Sequence, residues 1–108
     1  MSRRDPQIAL QQMLSHAIEA VKLCQGRVRE NLDSDRTLNL ALVRLLEIMG
    51  EAANRVPIEI QLEHRKIPWM QIIGLRNRLI HGYDDVDFDV LWEIVTNDLP
   101  ALIRTLET

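Results

Sequence analysis

The run from Thr37 to Arg55 constrains this chain most, because it is apolar around most of a helical circumference. Leu38, Ala41, Leu42, Leu45, Leu46, Ile48, Met49, Ala52 and Val56 recur at helical spacing. Only Arg44, Glu47, Glu51, Asn54 and Arg55 form an opposing polar stripe, and it is narrow. A helix with so wide an apolar face must be covered on more than one side. Gly50 inside it costs about 1 kcal/mol against alanine, so a neighbour is expected to pack closely there. Pro57 ends the helix.

Three other periodic segments supply the cover. Asp5 and Pro6 open a first helix as N-cap and first-turn proline, and its apolar spacing fades near Arg29 to Asn31. Leu32 to Arg36 reads as a polar connection carrying capping residues for the central helix. Residues 58–66 read as a short helix or an ordered loop. Pro68 starts a third helix, with Trp69, Ile72, Ile73, Leu75, Leu79 and Ile80 inward. Asp87 or Asp89 caps a fourth, whose core face is Val90, Leu91, Ile94, Val95, Leu99, Leu102, Ile103 and Leu106. Pro100 is expected to kink or split that helix near Thr96–Leu99. The predicted fold is all-α: one domain over residues 1–108, a compact four-helix bundle of up-down topology with a kinked last helix.

Composition narrows the function classes. Apolar residues at 46% and charged residues at 27% exclude a disordered chain. The lone Cys24 excludes an internal disulfide framework and reads as a small buried hydrophobe in a reducing compartment. No apolar run reaches membrane-span length and Met1–Pro6 lacks a signal-like apolar core, so a cytoplasmic protein without membrane contact is expected. A net charge of −3 argues against a broad nucleic-acid footprint and against DNA as a ligand. Arg55, Arg65, Lys66, Arg76 and Arg78 nevertheless share one half of the chain and allow a local basic patch. The acidic remainder is suited to a basic protein partner.

Chemistry concentrates between Gly74 and Tyr83. Continued as a helix, this stretch puts Asn77 and His81 one turn apart, with Gly82 as a stop and Tyr83 just beyond it. Trp69, Ile73, Arg76, Ile80 and Tyr83 follow at three- and four-residue steps, so the polar motif begins on an apolar stripe. That placement suits a helix–helix or subunit seam. RNA is cleaved without metal when one group takes the 2′-OH proton, another protonates the leaving 5′-oxygen and a cation steadies the phosphorus centre. Histidine is the side-chain type suited to proton transfer near neutral pH, which makes His81 the candidate, and Arg76 presents a fork matched to phosphate. One histidine does not easily act as both acid and base, so a homodimer placing two His81 rings around one phosphate is expected. The competing reading pairs Arg76 with Glu47 or Glu51 and makes His81 a helix-end cap, since ion-pair networks also gather titratable groups.

Other candidates carry less. Asn77 reads as a positioning group, Arg78 as a surface or phosphate-steering charge, and Tyr83 as a group that stacks on a base, donates to phosphate or only packs its ring. Asp85, Asp87 and Asp89 alternate, but helix capping explains them better than a cation, so neither metal nor cofactor is expected. His16 and His64 read as ordinary amphipathic positions. Glu47 and Glu51 pair by default with Arg44 or Arg55, with support of Arg76 as the alternative.

Arg76, Asn77, His81 and Tyr83 spell R-N-x-x-x-H-x-Y, and this resembles the signature of HEPN-superfamily ribonucleases, in particular the HepT-like toxins. Glu47–Ala53, Ile67–Trp69 and Val86–Trp92 are similar to that family as well. The resemblance implies a metal-independent endoribonuclease toxin of a type II or type VII-like pair, acting on RNA through Arg76 and His81, with Asn77, Arg78 and Tyr83 positioning substrate. It also implies a nucleotidyltransferase-fold antitoxin that attaches adenylate at Tyr83. Two alternatives stand beside it: a non-catalytic nucleotide- or RNA-binding module, and a structural partner subunit of a nucleotidyltransferase.

Overall fold

The computed structural model describes residues 5–82 and 85–108. Asp5 caps α1 (Pro6–Cys24), its carboxylate accepting the Gln7 N–H at 2.9 Å with Pro6 in the first turn. The helix stops short of the expected Arg29–Asn31. Gln25 turns extended and Gly26 takes a φ of +74°, a left-handed conformation that costs glycine nothing. Cys24 is buried as expected, and that burial raises its thiol pKa against the opposing pull of Arg27.

Where a polar connection was predicted, Asn31–Ser34 forms a helical turn, α2. The reason is tertiary. Leu32 is fully buried, and buried Asn39 donates from Nδ2 to the Leu32 carbonyl at 2.9 Å. Asp35 then caps α3 (Arg36–Asn54), accepting the Leu38 N–H at 3.0 Å.

Helix α3 is the central element. It packs along α1 on one side and meets α5 (Trp69–Ile73) and α6 (Leu75–Leu79) on another, and Leu42, Leu46 and Met49 are wholly enclosed. A Cβ placed on Gly50 would stand 3.0 Å from the Ile72 carbonyl oxygen, so the close approach expected at this glycine is the backbone of α5. Residues 58–66 resolve into α4 (Ile58–Glu63) and a turn. The buried Trp69 locks that turn, its indole N–H shared between the carbonyls of Gln61 and His64 at 3.2 and 3.1 Å.

The third helix differs most from expectation. It comes in two pieces, α5 (Trp69–Ile73) and α6 (Leu75–Leu79), separated at Gly74. It then ends at Leu79 and does not continue to Gly82. Ile80 is extended (φ −110°, ψ 118°) and pairs antiparallel with Val86. The His81 N–H donates to the Asp85 carbonyl and the Asp87 N–H to the Leu79 carbonyl, both at 2.8 Å. Two β-branched residues facing each other across a narrow hairpin outcompete one more helical turn.

Asp87 caps α7 (Phe88–Glu93), accepting the Val90 N–H at 3.1 Å. The chain runs through a π-helical turn (Ile94–Asp98) into α8 (Leu99–Leu106). The irregularity expected near Thr96–Leu99 takes this form. Pro100 has no N–H and its ring crowds the carbonyl four residues back, and the wide turn gives that carbonyl room. The Leu99 N–H accordingly reaches back five residues, to Ile94. The architecture is the predicted all-α bundle: α1, α3, α5–α6 and α7–α8 as arms, with α2 and α4 on the connections. Among the described residues no helix is long and apolar enough to cross a membrane.

Candidate functional site

The polar motif lies where α6 crosses α3 and gives way to the hairpin. Arg76 projects from α6 over a cleft of about 270 Å³, lined by Arg44, Glu47, Gly50, Glu51, Asn54 and Ile73. Its Nε stands 3.6 Å from Glu47 Oε2. Arg44 closes a chain of charges, 3.7 Å from Glu47 and 3.5 Å from Glu51. Of the three partners open to Glu47, two are therefore realised, Arg44 from its own helix and Arg76 across the seam, while Arg55 donates to Gln12 instead. The Arg76 side chain keeps 70% of its exposure, so the contact leaves most of the guanidinium in water.

Arg78 leaves α6 in another direction, 3.7 Å from Asp98 in the π-helical turn. Asn77 sits exposed between the two arginines. His81 is not one helical turn beyond Asn77, because the helix has already ended. The extended backbone at Ile80 makes His81 a hairpin residue instead. Its ring is 53% exposed, with Nε2 4.0 Å from Asp87 Oδ2. Gly82 is likewise not a helix stop. Its φ of +152° belongs to the hairpin, in a region that disfavours side chains. Tyr83, expected just beyond the helix, lies outside the described residues, as does Asp84.

The apolar stripe leading to the motif is covered within the chain. Trp69 is buried, and Ile73 and Ile80 pack half-buried against the core. The need for a second copy thus no longer follows from uncovered surface and rests on the count of histidines at the motif. His16 bonds locally, Nδ1 to the Gln12 carbonyl at 2.7 Å, and His64 is exposed at the end of α4. Among the described residues no cluster of three or more histidine, cysteine or acidic side chains has metal-holding geometry. A larger groove of about 580 Å³ lies between α1, α4 and α8, over Leu10, Leu14 and Leu62 with Arg65 and Lys66 in its lining. It shares no residue with the motif.

Sequence reasoning missed the proximity of His81 and Asp87. Six residues of separation fits no helical contact, and Asp87 reads only as a cap. The signal was present in Ile80 and Val86, a β-branched pair flanking Gly82.

Comparison with known proteins places these features in a family context. A family model described as ribonuclease HepT-like matches residues 13–108. The Caldanaerobacter subterraneus subsp. tengcongensis protein named "Putative RNase TTE0752" is 34% identical over 104 residues, covering 96% of this chain and 93% of its own. The "Probable ribonuclease HepT" of Thermococcus cleftensis is 37% identical over 93 residues, covering 82% of this chain and 84% of its own. "Putative RNase MJ1380" of Methanocaldococcus jannaschii is 31% identical over 107 residues, covering 99% and 98%. No solved structure matches.

Proposed function

This chain belongs to the HepT-like ribonuclease family, and on that premise we propose that it is an endoribonuclease that cleaves RNA through the 2′-OH without a metal ion. Arg76 and His81 are the catalytic pair. The observation that carries this reading is how loosely both are held. Each faces a single carboxylate among the described residues, at 3.6 and 4.0 Å, and each keeps more than half of its side chain in solvent. An exposed pair like Arg76–Glu47 contributes about 0–1 kcal/mol to stability, and a contact as long as His81–Asp87 adds no more. Stability alone is therefore a weak reason for an arginine and a histidine at these positions. A phosphate offers Arg76 two oxygens in place of one distant carboxylate oxygen.

In this reading His81 takes the proton from the 2′-OH, and the 2′-oxygen attacks phosphorus. The bond to the 5′-oxygen breaks, a proton is delivered to that oxygen, and Arg76 neutralises charge on the phosphoryl oxygens. The products are a 2′,3′-cyclic phosphate and a 5′-hydroxyl. A second His81, from a two-fold related copy, supplies the acid while the first is the base. Asn77 positions the phosphate and Arg78 steers RNA towards it. The chain is the toxin of a pair whose nucleotidyltransferase-fold partner silences it by adenylating Tyr83. Added phosphate there puts negative charge where RNA must bind.

Digestion of RNA by the purified protein tests the reading. EDTA should leave the rate unchanged, and an all-deoxy substrate should not be cut. His81→Ala and Arg76→Ala should each lose about a hundredfold to ten-thousandfold in rate with unchanged melting. Persistent cleavage by either variant, or inhibition by chelator, refutes the mechanism. RNA binding without cleavage by the wild-type protein would favour the non-catalytic module. Tyr83→Phe should still cleave RNA but no longer gain adenylate mass when produced with its partner.

A further inference from the structure

We infer that Asp87 is a positioning residue for His81, holding the imidazole as the Nε2–H tautomer and leaving the Nδ1 lone pair for the RNA. The inference rests on the proposed catalytic role of His81. Its basis is that one carboxylate does two things. Oδ1 accepts the Val90 N–H at 3.1 Å and so caps α7, which fixes the orientation of the carboxyl group. Oδ2 is then turned towards His81 Nε2, at 4.0 Å.

The backbones are fixed as firmly as the side chain. The Asp87 N–H donates to the Leu79 carbonyl and the His81 N–H to the Asp85 carbonyl, on either side of the Ile80–Val86 bridge. Side chains two residues apart on a strand share a face, so His81 and Asp87 are diagonal neighbours across this hairpin. The gap exceeds a hydrogen bond by about 1 Å. The half-exposed ring has room to turn towards the carboxylate, and catalytic hydrogen bonds are commonly longer before substrate binds. An ionised carboxylate only accepts, so the ring nitrogen facing it must carry the hydrogen. The other nitrogen is then the one able to take the 2′-OH proton.

A simple helix cap predicts something different, and substitution separates the two. Asn and Ser cap about as well as Asp. Asp87→Asn keeps an oxygen on the Val90 N–H but turns an NH2 group towards Nε2, which favours the Nδ1–H tautomer. Asp87→Ser keeps the cap with a side chain too short to reach the ring. Histidine ¹⁵N spectra and RNA-cleavage kinetics on the full chain provide the test. Wild type should show Nε2–H at His81, although free imidazole favours that form too. The discriminating signal is its inversion in Asp87→Asn, with kcat falling by about a hundredfold and KM and melting temperature unchanged. Asp87→Ser should show no inversion and a smaller loss of kcat. Unchanged tautomer and kcat in Asp87→Asn overturn the inference and leave Asp87 a cap. A wild-type protein that cuts no RNA refutes the proposed function instead, while the tautomer inversion still decides the contact.

Discussion

Replacing Gly50 by alanine tests how α3 and α5 are held together. Two effects oppose each other. Alanine favours a helix interior over glycine by about 1 kcal/mol, and this gain applies wherever the glycine sits. Against it, the new methyl would lie 3.0 Å from the Ile72 carbonyl oxygen and 3.6 Å from that of Ile73. The obstacle is backbone, committed to the turns of α5 that carry buried Trp69 and Ile72. It cannot swing aside as a side-chain end would. Overpacking of this type costs about 1–3 kcal/mol, so the steric effect wins and the net loss is about 1 kcal/mol. For a domain of this size that is a fall in melting temperature of about 4–8 °C. Gly50→Val should fall further, since it adds bulk and gives up propensity. Thermal unfolding followed by circular dichroism measures both. A melting temperature for Gly50→Ala equal to or above wild type would refute the reasoning, because propensity would then have prevailed over the contact.

Two other substitutions examine the start of α3. Asn39→Ala removes the donor to the buried Leu32 carbonyl, and urea denaturation should show a loss of about 1–3 kcal/mol; a loss under 0.5 kcal/mol, read against that same range, would mean α2 is held by Leu32 alone. The Asp35 carboxyl is held below its ordinary pKa, first by the Leu38 N–H and then by Arg27. A depressed folded value stabilises the fold above the ordinary carboxylate pKa of about 3.9 and loses that contribution as pH falls through the folded value. Asp35→Asn keeps a capping oxygen without the charge, so its melting temperature should decline less than wild type below about pH 4; identical acid profiles would refute the assignment.

Local rules made much of the bundle readable. Asp5 with Pro6, Asp87 ahead of an apolar run, Gly50 in a helix that must be crossed, and Pro100 in a helix that must yield each carry their reason in the residue type. The failures share one cause. Ile80 continues the Trp69–Ile73–Arg76 spacing without a break, so periodicity alone extends the helix through His81. What stops it is Val86, a partner across a turn. Leu32 looked polar by its neighbours Asp33, Ser34 and Asp35, yet Asn39 and the core draw it inside. Arg29 bridges Asp33 and Asp89, and the second of these contacts spans 60 residues. No pattern in a short window encodes it. At the site, the types of group were legible and their arrangement was not: Arg76 meets Glu47 as one of the open readings allowed, whereas His81 reaches its place by a hairpin.

That hairpin also separates what can change from what cannot. Two backbone bonds among the described residues, from the Asp87 N–H to Leu79 and from the His81 N–H to Asp85, tie the end of α6 to the start of α7. Neither bond uses a side chain, so exchanging the side chain of His81 or Asp87 alters the chemistry of this face without shifting the stagger of the two helices. The chemistry offered at this face can therefore be changed one residue at a time while the bundle that presents it stays as it was.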